Sequence, residues 1–232
     1  MEQTANQAKY SPLTQIAMQS NPGINVGSLI ANRARVSPDL EGWVDVDTDR
    51  RFTFSEWNAR VNQTAHMLTG LGVAPGDRVA LLAMNCIEFM ESFFALAKIG
   101  AIGVPLNWRL TPSELEFILK DSGSSVLIYS GEFAASVSAL QALPGGAVNI
   151  RQWLCIGAPA APSKSYADLQ AACPVTEPAI GGGEDDRLYI MYTSGTTGLP
   201  KGVVHTHNSV FWALTTLSLT SETRFADRYY CC

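Results

Sequence analysis

Between residues 78 and 156, short apolar runs alternate with segments of helical periodicity, and this rhythm restricts the fold more than any other feature of the chain. The apolar runs are residues 78–84, 102–106, 125–129 and 153–156. The segments between them carry apolar residues at helical spacing, as in Ile87, Met90, Phe94 and Ala97, which lead to Gly100. Thr111, Pro112, Ser113 and Glu114 form a capping box with proline at the first helical position, opening a helix that ends near Asp121, Ser122 and Gly123. Residues 132–143 are a third helical segment, and Asn85 is the expected cap of the first. A strand apolar on both sides must be covered on both sides, and parallel neighbours need a crossover long enough for a helix. The pattern predicts an α/β fold with a largely parallel sheet covered by helices on both faces.

Before this rhythm, residues 1–26 are polar and aperiodic and read as a loose arm. A helix is expected at 28–36, ended by Ser37 and Pro38. Residues 43–46 and 51–54 flank a polar turn and predict a hairpin. Ser55 is the expected cap of a helix whose apolar face is Trp57, Val61, Ala65, Leu68 and Leu71, closed by Gly72. After the rhythm, residues 157–183 are rich in Ala, Pro and Gly, with a short helix expected near 166–172. The expected division is an arm (1–27), an α/β subdomain (28–156), a connecting segment (157–186), and a strand and loop opening a second, incomplete subdomain (187–232).

Composition excludes several functions. The 16 Lys and Arg against 21 Asp and Glu give a net charge of −5, with no basic cluster beyond Arg50 and Arg51, which argues against nucleic-acid binding. Five cysteines without a Cys-x-x-Cys spacing and three histidines suggest neither a disulfide framework nor a zinc site. The N-terminus has no secretory pattern, and the uncharged stretch 202–221 is too rich in Thr, Ser, His and Asn to span a bilayer. A cytoplasmic protein without a transmembrane segment is expected. Charged residues make up only 16% of the chain, against about 25% in an average globular protein, so part of its surface is expected to be covered.

The segment with chemical content follows residues 187–192, a short apolar strand. It reads Tyr192, Thr193, Ser194, Gly195, Thr196, Thr197, Gly198, Leu199, Pro200, Lys201, Gly202. Its glycines admit close approach of a ligand, and successive backbone N–H groups in such a loop form an anion nest. The hydroxyls of Thr193, Ser194, Thr196 and Thr197 donate to phosphate oxygens, and Lys201 adds a mobile positive charge. Chemically this is a polyphosphate cradle. Pro200 and Gly202 separate it from the Walker loop, which needs glycine and a hydroxyl there. Residues 193–202 are expected to be an exposed, mobile loop between a buried strand and a following strand.

The string from Tyr192 to Val210 resembles the phosphate-binding signature of the adenylate-forming enzymes: acyl-CoA synthetases, peptide-synthetase adenylation domains and luciferases. Upstream, Phe54 to Trp57, Gly76 to Ala80, Gly100 to Asn107 and Asn107 to Pro112 followed by Leu115 resemble the N-terminal part of a bacterial medium- or long-chain fatty acyl-CoA ligase. The resemblance implies a two-step reaction using ATP, Mg²⁺, a fatty acid and CoA. It implies that Thr193 meets the magnesium ion, that Ser194, Thr196, Thr197 and Lys201 hold the phosphates beside Gly195 and Gly198, and that Lys201 stabilises charge during catalysis. Members of that family have further motifs beyond the last residues of this sequence, so the 232-residue chain is expected to be inactive alone. A non-catalytic nucleotide-binding or interaction remnant is the alternative, and a hydrolase using Ser194 and Lys201 is a further one. Contact with a membrane surface stays open.

His205 and His207 alternate as if on one face of a strand, and a structural role is expected of both. Glu184, Asp185 and Asp186 read as a solvated loop, and Cys231 and Cys232 as part of a buried strand. Asn62, Gln63 and Thr64 form a glycosylation sequon to which no function is assigned.

Overall fold

The structure is a computed structural model that describes residues 23–46, 48–144, 148–193, 199–222, 224 and 227–230. Helix α1 (Ser28–Val36) is followed by a hairpin of β1 (Glu41–Asp45) and β2 (Arg50–Thr53), then by α2 (Phe54–Gly70). The alternating region gives β3 (Arg78–Leu82), α3 (Ile87–Ile99), β4 (Ile102–Pro105), α4 (Pro112–Ser122), β5 (Val126–Ser130), α5 (Ala134–Gln141) and β6 (Gln152–Ile156). The chain continues through β7 (Lys164–Ser165), α6 (Tyr166–Ala171), β8 (Arg187–Thr193), β9 (Lys201–Thr206) and α7 (His207–Thr220).

Seven strands form one sheet in the order β7-β6-β5-β3-β4-β8-β9. Every neighbour pair is parallel except β8 and β9. Val79 pairs with Gly103 on one side and with Val126 on the other. The strand period of two then sorts side chains into two cores. Val79, Leu81, Val126, Ile128 and Leu154 pack under α2 and α3. Ala80, Leu82, Leu127, Tyr129 and Cys155 pack under α4 and α5. Each of these apolar side chains is almost fully removed from water. A buried Val or Leu contributes roughly 1.5–3 kcal/mol, so the two layers are the main source of stability. The expected sheet with helices on both faces is present.

The α4 start is as read: the Thr111 hydroxyl and the Glu114 carboxylate satisfy each other's backbone N–H groups, and Gly123 closes the helix at φ 63°. Helix α2 differs. Its cap is Thr53, which accepts from the Glu56 N–H, while the Glu56 carboxylate accepts from the Thr53 N–H at 2.8 Å. Ser55 has no glutamate three residues on, so the reciprocal box forms two residues earlier. Cys86 rather than Asn85 takes the cap position of α3. Residues 132–143 divide into a 3₁₀ turn (Gly131–Phe133) and the shorter α5.

The end of the N-terminal arm is not loose. Asn25 and Val26 are buried, and the Asn25 amide donates to the carbonyls of Ala97 and Gly182, both at 3.0 Å. The connecting segment is pinned as well. Gly181 N–H donates to the Lys98 carbonyl at 2.8 Å, and a Cβ at residue 181 would stand 2.2 Å from the Ile99 carbonyl oxygen, so only glycine fits.

The strand before the signature is not buried throughout: Leu188 is, but Met191 and Thr193 are exposed. Exposed apolar side chains continue through Val203 and Val204 on β9 and Trp212, Leu214, Leu217 and Leu219 on α7. The described apolar exposure is thus concentrated at this end of the sheet. Among the described residues no helix is long and apolar enough to cross a membrane.

Candidate functional site: the neck of a glycine and hydroxyl hairpin

Strand β8 runs parallel to β4 and delivers the signature at its carboxyl end, where open α/β sheets bind ligands. Strand β9 returns antiparallel, with Met191 opposite Val203, Tyr192 opposite Gly202, and Thr193 opposite Lys201. Directly opposed residues share a face, about 4.5–5.5 Å apart at Cβ. The ladder therefore roots the Thr193 and Lys201 side chains beside each other on one face, both residues exposed. Thr193, Lys201 and Gly202 are strand residues, so the connecting loop is shorter than residues 193–202. Ser194, Gly195, Thr196, Thr197 and Gly198 lie outside the described residues, as do Cys231 and Cys232.

The neck below this pair is tightly built. The Tyr192 hydroxyl donates to Asp121 Oδ2 at 2.6 Å. Burial, and then the Asp121 carboxylate, push the Tyr192 phenol far above its ordinary value. Opposite it, a Cβ on Gly202 would stand 2.8 Å from Ile190 Cγ2 and 3.1 Å from Tyr192 Cζ. The Ile190 methyl, and less closely the Tyr192 ring, take up the space a side chain would need.

The two histidines separate. His205 lies on β9 and stacks on Tyr189, ring centroids 4.6 Å apart. His207 is not a strand residue; it is the first residue of α7, because Thr206 caps that helix through the Ser209 N–H. It is buried, and its Nδ1 accepts from the Val26 N–H at 3.0 Å. Nε2 therefore carries the proton, buried with no hydrogen-bond partner among the described residues. Burial lowers the His207 pKa, partly offset by Asp186. The acidic loop does more than meet solvent: the carbonyls of Asp186 and Glu184 accept from the N–H groups of His207 and Asn208 at 3.2 and 2.9 Å. No group of three or more His, Cys, Asp or Glu able to hold a metal occurs among the described residues. One neutral hydroxyl, Thr193, does not make a resident Mg²⁺ site, which ordinarily needs one or two carboxylates.

The reading of the residues missed Asp121 and the Tyr192 anchor. Asp121 sits in the last turn of α4, where a negative charge opposes the helix dipole, and that misplacement was the available signal.

A largely parallel α/β sheet ending in an antiparallel hairpin with this string at its tip defines the class of adenylate-forming folds. The profile described as AMP-binding enzyme matches residues 30–232, and the chain belongs to that family. It is 46% identical over 204 residues to the long-chain-fatty-acid–CoA ligase FadD13 of Mycobacterium tuberculosis, covering 88% of this chain and 39% of that protein. Feruloyl-CoA synthase of an Amycolatopsis species is 39% identical over 187 residues, covering 81% of this chain and 34% of its own length. Among solved structures, the inhibitor-bound N-terminal domain of FACL13 from Mycobacterium tuberculosis superposes with a TM-score of 0.82 at 44% identity, over 88% of this chain and 50% of that one. The chain thus spans well under half the length of the curated relatives it matches.

Proposed function

We propose that this chain is the phosphate-gripping part of an AMP-forming acid–thiol ligase whose acid is a fatty acid. The observation that carries the reading is the register of the hairpin, which sets Thr193 beside Lys201 in a member of the AMP-binding family. The identity with a long-chain-fatty-acid–CoA ligase supports the fatty acyl substrate over an aromatic one, and a cytoplasmic setting accords with both. Residues 157–186 are taken as the connection between an α/β unit (28–156) and the strand and hairpin of 187–232, which open a second subdomain.

In this reading a carboxylate oxygen attacks the α-phosphorus of ATP. A C(O)–O–P bond forms, the bond between Pα and the bridging oxygen breaks, and pyrophosphate leaves. The thiol of CoA then loses its proton and displaces AMP from the acyl carbon. The work of this chain lies in the first step. Lys201 offsets negative charge growing on the departing phosphates, the hydroxyls of Ser194, Thr196 and Thr197 donate to their oxygens, and Gly195 and Gly198 let backbone N–H groups approach. Magnesium, carried in on the nucleotide, would neutralise phosphate charge and take the Thr193 hydroxyl as one ligand. The test is fatty-acid-dependent pyrophosphate release by the full-length polypeptide bearing these residues, with ferulate as the competing acid. Release with ferulate alone would reject the fatty acyl assignment. Absence of release with labelling of Ser194 by a fluorophosphonate would favour the hydrolase.

A further inference from the structure

We infer that Tyr192 and Asp121 are a positioning pair: their hydrogen bond fixes the neck of the hairpin to α4 and thereby sets where Thr193 and Lys201 stand. The inference rests on the reading of that hairpin as a phosphate grip.

Four observations carry it. The contact is short and between side chains distant in sequence, Tyr192 Oη to Asp121 Oδ2 at 2.6 Å across 71 residues. The post it is tied to is itself fixed, because Arg78 on β3 donates to the carbonyls of Ser122 and Gly123 at 2.9 Å each. The guanidinium thereby closes the end of α4 that bears Asp121, and it offsets the negative helix terminus there. Asp121 has no role in the α4 core, whose buried residues are Leu115, Ile118, Leu119 and Ser122. Finally, Gly202 has no side chain to press on the Tyr192 ring; a Cβ there would clash with Ile190 Cγ2 at 2.8 Å and crowd the ring at 3.1 Å. The ring thus stands close to the returning strand, one residue pair below Thr193 and Lys201.

These contacts form a continuous line from β3 through the end of α4 and Tyr192 to the mouth of the hairpin. The antiparallel pair β8 and β9 lies at the sheet edge with Met191, Val203 and Val204 exposed, so packing alone leaves its far end weakly held. A hydroxyl anchored to a fixed helix end supplies the restraint that packing does not. Tyr192 and Asp121 touch no reacting atom in this account; they act through Lys201 and Thr193.

The experiment uses the 232-residue chain with Tyr192→Phe, Asp121→Ala, Asp121→Asn and Lys201→Ala. ATP binding is followed by ³¹P NMR, and amide exchange along the β8–β9 ladder is followed in parallel. Tyr192→Phe keeps the ring and loses the donor; Asp121→Asn keeps an acceptor and loses the charge. The expected result is about three- to tenfold weaker ATP binding for Tyr192→Phe and Asp121→Ala, with affinity retained in Asp121→Asn and melting temperatures unchanged. Exchange should quicken at the Thr193–Lys201 end of the ladder and not at the Ile190–Val204 pair. A neighbouring carboxylate by itself repels phosphate, so tighter binding in Asp121→Ala than in wild type would show charge without positioning and overturn the inference. Unchanged binding in Tyr192→Phe, with Lys201→Ala impaired, would overturn it while leaving the phosphate grip intact. Unchanged binding in Lys201→Ala would instead reject the grip, and the exchange pattern would then decide whether Tyr192 fixes the neck: unchanged exchange in Tyr192→Phe would overturn that too.

Discussion

Lys201 stands exposed at the first position of β9, with an ordinary strand backbone and Thr193 for its cross-strand neighbour. Its removal should therefore disturb charge more than fold. Charge-assisted contacts to phosphate are worth about 1.5–3 kcal/mol, so Lys201→Ala in the full-length ligase should slow adenylation roughly 10–150-fold. Thioester formation from presynthesised acyl adenylate should suffer less, because pyrophosphate has already left; equal losses in both half-reactions would make the residue structural. His207 makes the opposite case, a residue whose role is in the fold. Its folded pKa lies below the ordinary 6.5, so the unfolded chain binds the proton first as pH falls. The stability it contributes is present above about pH 6.5 and is lost as pH drops through the lower folded value, with a slope of at most about 1.4 kcal/mol per pH unit. Protonating Nδ1 also removes the acceptor for the Val26 N–H. Melting temperature should fall between pH 7 and pH 5, and the fall should be smaller in His207→Gln. The glycine and hydroxyl string was legible because its chemistry is local. The Asp121 anchor and the His207 contact with Val26 were not, since each joins residues 71 or 181 apart.

At the scale of elements, what could be read followed from short-range rules. Strand and helix positions between residues 78 and 156 come from periodicity, and the α4 boundaries from a capping box and a left-handed glycine. The start of α2 was misplaced because Ser55 caps as well as Thr53 does in isolation, and only the reciprocal Glu56 decides between them. The connecting segment was read as a passage, yet its anchorage depends on a polar cluster assembled from three elements. Lys98 of α3 is fully buried and donates to Asn58 and Asn62 of α2 and to Glu177 at 2.8, 2.6 and 2.7 Å. Burial lowers the Lys98 pKa, opposed by Glu177. Burial would raise that of Glu177, but bonds from Asn58, Lys98 and Asn62 hold it below the ordinary value. Glu177→Ala leaves the ammonium buried with two neutral partners. Since Glu177 is itself half exposed, the cost should be about 1–3 kcal/mol rather than that of breaking a fully buried pair. Urea denaturation should show it, and protease cleavage within residues 173–183 should accelerate in the variant. Full-strength resistance to cleavage would mean that the remaining contacts, from Asn62, Gln63 and His66 of α2 to the carbonyls of Val175, Cys173 and Thr176 and at Gly100 and Gly181, hold the segment without Glu177.

For the whole molecule, the described surface is uneven. The sheet is covered on both faces from β6 to β4, while β8, β9 and α7 present Met191, Val203, Val204, Trp212 and Leu217 to solvent beside the proposed grip. A phosphate grip on such an open edge holds one end of a nucleotide. The described residues offer no carboxylate cluster for its metal, and the chain corresponds to 39% of the length of the long-chain ligase it resembles. Adenylation needs base, sugar, phosphates, metal and carboxylate fixed together, and contacts that act as a unit fail as a unit. A polypeptide of these 232 residues should therefore form no acyl-CoA, while binding ATP no tighter than about 1 mM, roughly −4 kcal/mol. The measurement incubates it with ATP, Mg²⁺, CoA and fatty acids of several lengths, following pyrophosphate and thioester, with ³¹P NMR for binding. Broadening of the ATP signals that disappears in Lys201→Ala, without turnover, is the expected outcome. Ligase-level turnover abolished by the same substitution would show that an edge strand pair and its hairpin suffice to organise the whole nucleotide.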